Sequence, residues 1–171
     1  VTTVINLFDK INKILNKEIF SITTIGTKEK FKDKLDIVNL NVKEILTQDF
    51  NQDFQILIMP STNNMDFLND EIIFDNLHNI VDRCDIILAC NEGVIPLILT
   101  DLLSGLMVSL PKKYEEKLKE YLSSSIISDK NIVDNGKIIL FNGNDDITSG
   151  CLYLIKRLCG EGMYKALLSG V

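Results

Sequence analysis

Apolar positions at the start of the chain recur at helical spacing. Val4, Phe8, Ile11 and Leu15 form one stripe, which Leu7 and Ile14 widen, with Lys10, Lys13 and Lys17 beside it. This predicts an amphipathic helix over about residues 3–16. The pattern then turns β-like in "EIFSITTI" (18–25), which reads as a buried strand. "TKEKFKDKL" (27–35) reads as a short helix with Thr27 as N-cap, and "DIVNLN" (36–41) as a second strand. The stretch to about residue 53 is helical or irregular.

"FQILIMP" (54–60) is continuously apolar, as a parallel strand covered on both faces should be, and Pro60 ends it. The polar loop "STNNMDFLND" (61–70) leads to Ile72, Ile73, Leu77, Ile80 and Val81 at helical spacing within 71–84. "DIILAC" (85–90) is another buried strand, stopped by "NEG" (91–93). The remainder predicts a buried helix over 95–105, a strand over 106–111 and an amphipathic helix over 112–126. A last strand follows over 136–143, a last helix over 146–159, and one or two further helical turns over 162–168. Alternation of apolar strands with helices predicts a single α/β domain over 1–171. It is a three-layer sandwich around a mainly parallel sheet, flavodoxin-like or Rossmann-like.

Composition narrows the function classes. The net charge of −6 and the presence of only two arginines, Arg83 and Arg157, argue against nucleic-acid binding. No run of 18 uncharged apolar residues exists, so no membrane span is expected. The four cysteines, Cys84, Cys90, Cys151 and Cys159, form no C-x-x-C pair, and His78 is the lone histidine, so no zinc site is expected. Residues 1–17 lack the continuous apolar core of a secretory signal. Reduced cysteines and a cytoplasmic location follow as expectations. High Lys, Asn and Ile usage fits an AT-rich bacterial genome.

In an open α/β sheet, ligands bind beyond the carboxyl ends of the strands. Those ends read "TTIGT" (23–27), "PSTNN" (60–64), "ACNEG" (89–93) and "NGND" (142–145). Their hydroxyls, amides and glycines suit a phosphate or a flat ring, although strand-to-helix turns use the same residues for structure. The candidate site is therefore Thr24, Gly26, Thr27, Ser61, Thr62, Asn63, Cys90, Asn91 and Gly93, taking a small phosphorylated ligand or a flavin. Neither G-x-G-x-x-G nor G-x-x-x-x-G-K-[ST] occurs. Glu92 and Asp101 are the carboxylates best placed for function, and Cys90 could act as a thiol nucleophile only beside a positive dipole.

"TTIGTKEKF" (23–31), "LIMPSTNN" (57–64) and "LTDLLSGLMVSLP" (99–111) followed by "KKYEEKLKEYL" (112–122) resemble segments of one family. It is the flavoprotein family of cysteine decarboxylases that includes phosphopantothenoylcysteine decarboxylase, with relatives tied to ethanolamine or diol microcompartments. The resemblance implies an FMN site, with Thr24, Gly26 and Thr27 near the phosphate and Ser61, Thr62 and Asn63 near the ring or ribityl chain. "CNEG" (90–93) would then form another wall. The family's active-site histidine has no counterpart, since His78 falls inside a helical stretch, so cysteine decarboxylation is not expected. The expectation is an FMN-binding flavoprotein-like protein, free or within a microcompartment. Its alternatives are an interaction or scaffold module with no cofactor, packed as a homo-oligomer, and an enzyme acting on another phosphorylated substrate.

Overall fold

The apolar runs 54–59 and 84–90 pair side by side, as their two-faced hydrophobicity requires. The computed structural model describes residues 1–26, 30–32, 39–41, 43–46, 51–61, 71–143 and 147–169. In order these form α1 (Thr2–Ile14), β1 (Ile25–Gly26), β2 (Lys30–Lys32), β3 (Asn39–Asn41) and β4 (Glu44–Ile45). Next come β5 (Phe54–Met59), α2 (Glu71–Asp82), β6 (Cys84–Cys90), a 3₁₀ turn (Asn91–Val94) and α3 (Ile95–Leu99). The chain continues through β7 (Met107–Val108), a 3₁₀ turn (Lys112–Tyr114), β8 (Ile126–Ile127), β9 (Ile132–Asp134), β10 (Ile138–Phe141) and α4 (Thr148–Ser169).

The central sheet has the order β5-β6-β10-β9. β5 and β10 flank β6 in parallel, and β9 runs antiparallel at one edge. Alternate side chains feed two cores, as the period of two along a strand demands. Ile87, Ala89 and Leu140 face one cluster with residues of α2 and α3. Leu88, Cys90, Ile139 and Phe141 face the other, with Val4, Phe8 and Ile11 of α1 and Cys151, Leu154 and Ile155 of α4. The architecture is the expected three-layer α/β sandwich, and α1 is a sheet-covering helix that buries Val4, Phe8 and Ile11 of the predicted stripe, while Leu15 lies exposed just beyond its end. Asn12 fastens it: the side chain donates to Phe20 O at 2.7 Å and accepts the N–H groups of Ile19 and Phe20.

Several elements differ from expectation. The strand expected over 18–25 shrinks to β1, which pairs with β4 outside the central sheet. The buried helix expected over 95–105 stops at Leu99, where the Thr100 hydroxyl donates back to Pro96 O at 2.8 Å. Asp101 then takes the left-handed conformation (φ 60°) and lies exposed. The helix expected over 112–126 is a 3₁₀ turn followed by a run of turns, held mainly by bonds three residues apart such as Leu122 N–H to Lys119 O. Only Leu118 and Leu122 of that run are buried, too narrow an apolar face to hold a regular helix. β8 and β9 were not anticipated. The helices expected over 146–159 and 162–168 are one element broken at Gly160 (φ 83°). No described helix is long and apolar enough to cross a membrane.

Candidate functional site

The register brings three strand tips together. Met59 pairs with Ala89, and Phe141 with Cys90, so Pro60-Ser61, Asn91-Glu92-Gly93 and Asn142-Gly143 leave the sheet along one edge. Beside them opens a cleft of about 760 Å³ whose wall includes Asn91, Glu92, Lys113, Ser128, Asn131 and Gly143. Three of the four expected strand ends therefore converge, and the end at 23–27 does not.

The strand phase decides which neighbour faces the cleft. Cys90 ends β6 with its side chain in the apolar cluster beneath the sheet, fully buried. Burial, and secondarily the neighbouring Cys151, pushes its thiol up to about 12. A thiol so held is protonated and inert. Asn91, one residue on, reaches the cleft from a sharp strand-to-helix turn with φ 48°. Asn and Asp tolerate this region better than other side-chain-bearing residues. The Asn91 side-chain oxygen accepts the Gly143 N–H at 3.0 Å, which joins the tips of β6 and β10. Its amide N–H₂ has no partner among the described residues.

Gly93 is required by close approach. A Cβ there would overrun the Met59 carbonyl oxygen and lie 2.9 Å from the Met59 carbonyl carbon and 3.0 Å from Pro60 O. The turn thus presses on the end of β5 and brings Ser61 to Glu92. The Ser61 hydroxyl donates to one carboxylate oxygen of Glu92 at 2.5 Å. The Lys113 ammonium meets the other at 2.8 Å, and Glu92 as a whole is only 7% exposed. Burial raises the Glu92 pKa, but the hydrogen bonds from Lys113, Ser61 and its own backbone N–H outweigh it, so the carboxyl sits below its ordinary range. Lys113, lying 4.8 Å from the centre of the Tyr114 ring, is raised in turn, chiefly by its bond to Glu92.

Asn142 donates to Leu110 O at 2.7 Å, tying together two residues of the cleft wall. Among the described residues no group of three or more His, Cys, Asp or Glu could hold a metal ion.

The structure divides the sequence-derived set. Ser61, Cys90, Asn91 and Gly93 are gathered at the strand tips, although Cys90 faces inward. Thr24 lines a separate cleft of about 260 Å³ with Ile5, Asp9, Phe20, Ile22 and Lys43. Its hydroxyl accepts the Lys43 N–H at 3.1 Å. Gly26 lies in β1, which pairs with β4 and not with the central sheet. Thr27, Thr62 and Asn63 lie outside the described residues. Glu92, singled out with Asp101 as a carboxylate placed for function, stands at the site, whereas Lys113 carries no sequence signal, being one cation in a charged run 20 residues beyond Gly93.

No family model and no curated protein matches the sequence. Solved structures do. DJ-1beta of Drosophila melanogaster superposes with a TM-score of 0.73 at 17% identity, over 98% of this chain and 89% of that one. An AraC family transcriptional regulator from Pseudomonas putida gives 0.73 at 16%, over 98% and 89%. A two-domain Anabaena variabilis protein with DJ-1/ThiJ/PfpI-like and ferritin-like domains gives 0.72 at 17%, and this chain covers 91% of its own length and 44% of that protein. At such identity the likeness is one of fold: the flavodoxin-like sandwich of DJ-1/ThiJ/PfpI proteins. It overturns the resemblance to the phosphopantothenoylcysteine decarboxylase flavoproteins. The FMN-flavoprotein and microcompartment readings built on that resemblance, and the scaffold alternative, lose their support. The resemblance misled because Gly, Thr, Ser and Asn end strands in any α/β sheet.

Proposed function

We propose, for a chain carrying the DJ-1/ThiJ/PfpI fold, that it is a reversible receptor for a small polar molecule, a ligand-sensing domain and not an acyl-transfer enzyme. The observation that carries this is Asn91. A strand, a sharp turn with positive φ and a helix is the geometry that exposes a nucleophile in α/β hydrolases. Here a carboxamide occupies that position, and it has no nucleophilic atom. The adjacent thiol, Cys90, is buried and protonated. In those hydrolases the backbone N–H after the nucleophile stabilises the oxyanion. The corresponding N–H is that of Glu92, whose own carboxylate is held at the same turn by Ser61 and Lys113, which puts negative charge close to where negative charge would have to develop.

What remains suits recognition: an open cleft with an unused amide donor on Asn91 and the polar side chains of Ser128 and Asn131. The shared fold with an AraC family transcriptional regulator supports a sensing role. The test is a thermal-shift panel of polyols, sugars, amino acids, amides and nucleosides, followed by calorimetry on any hit. Binding that raises the melting temperature and is lost in Asn91→Ala or Asn131→Ala is the expected result. Turnover of p-nitrophenyl acetate that disappears in Asn91→Ala would refute the reading, as would silence across the panel.

A further inference from the structure

We propose that the turn after β6 is an anion receptor that the chain has filled with its own Glu92 carboxylate. Donors from two segments converge on it: the Ser61 hydroxyl beyond β5 and the Lys113 ammonium beyond β7. A hydroxyl and an ammonium, each on a different carboxylate oxygen, make a donor set that suits a carboxylate or phosphate group. Burying a carboxylate is unfavourable without such compensation. Neither partner is forced into this role by its own burial. Ser61 is exposed, and the Lys113 side chain is 63% exposed, so both could be solvated instead.

The filled receptor has a consequence for the cleft beside it, and this second half rests on the ligand-binding reading above. With Lys113 neutralised by Glu92, the charged side chains left on the wall among the described residues are Lys112, Glu115 and Asp129. Lys112 itself lies 3.9 Å from Asp129. Among the described residues the balance is negative, and a ligand bearing a carboxylate or phosphate meets no unpaired cation there. The class selected is a neutral or cationic polar molecule.

Chemical rescue tests the first half without any knowledge of the natural ligand. Glu92→Ala empties the receptor, and its melting temperature is compared in sodium acetate, sodium formate and sodium chloride at equal ionic strength. The expected result is a rise of at least about 2 °C in 50 mM acetate or formate over chloride. The wild type, already filled, should show no such rise, and neither should Glu92→Gln, whose amide still occupies the space. Rescue should vanish in Glu92→Ala/Lys113→Met. Equal melting of Glu92→Ala in acetate, formate and chloride overturns the proposal, as does an equal shift of the wild type. If Glu92→Ala does not fold in chloride, recovery of folded protein on dialysis into acetate is the same readout, and no recovery overturns it too. The second half is read separately: a carboxylated or phosphorylated compound that binds the wild-type cleft defeats it while leaving the rescue result standing.

Discussion

Replacing Gly93 with alanine tests whether the strand tips are pressed together as described. The added methyl would overrun the Met59 carbonyl oxygen and stand 2.9 Å from its carbon, half an ångström short of the 3.4 Å at which ordinary contact begins. Pro60 O at 3.0 Å is also backbone, so no flexible side chain can swing away. The end of β5 and the turn after β6 must separate, and Ser61 is drawn off Glu92. Overpacking of this kind costs about 1–3 kcal/mol, and rigid neighbours place this site near the upper end. For a chain of this length that corresponds to a fall of roughly 6–12 °C in melting temperature. Urea unfolding followed by circular dichroism measures the free energy directly. Gly162→Ala is the control: nothing lies within 4 Å of its Cβ position, and within a helix the substitution is expected to gain about 0.5–1 kcal/mol. If Gly93→Ala lies within about 0.5 kcal/mol of the wild type, the size of an ordinary surface substitution, the account of the turn is wrong.

Alkali should destabilise the protein through its buried thiols. Cys84 is raised from 9.0 to about 11 and Cys90 to about 12, both first by burial. Their contribution is complete below pH 9 and is lost as pH climbs towards those values, because the unfolded thiols ionise first. Cys90→Ala should flatten the fall in urea midpoint between pH 9 and 11, and an unchanged slope would contradict the assignment. In the native state at pH 8, a disulfide reagent should label the half-buried Cys159 before Cys84, Cys90 or Cys151, as counted by mass spectrometry. Glu92 acts in the opposite sense: its pKa is depressed, so its stabilisation is present above the ordinary 4.5 and lost as pH falls below it. The stability gap between wild type and Glu92→Gln should therefore narrow from pH 7 to pH 3. Asn135→Ala removes a side chain that accepts the Met107 N–H and donates to Met107 O. A loss of about 1 kcal/mol in urea unfolding is expected.

The layers of this fold are readable because β10 is wholly apolar, because β5 and β6 are apolar apart from Gln55 and Asp85 near their starts, and because the apolar positions of α1 recur at helical spacing. Short elements are not. β7 and β8 are two residues each, and residues 112–126 have helical composition but bury only Leu118 and Leu122. At the site, the stretch "ACNEG" was identified, but the side chain that matters was not. Whether Cys90 or Asn91 meets the cleft depends on the phase of β6 against two cores, which needs the sheet. Thr24 and Gly26 were grouped with the other strand ends on the assumption that every apolar run joins one sheet. The pairing of β1 with β4 breaks that assumption. Lys113 left no signal, since its role comes from a fold-back of 21 residues from Glu92.

The partnership of β6 with β10 also sets a timetable. Ile87 and Ile138, which stand opposite each other on neighbouring strands, are 51 positions apart along the chain. Bringing such distant segments together is entropically expensive and slows folding. Gly143 reaches Asn91 only after that closure, so no fragment ending before β10 can hold the recognition edge. Competence to bind should appear in one late, cooperative step.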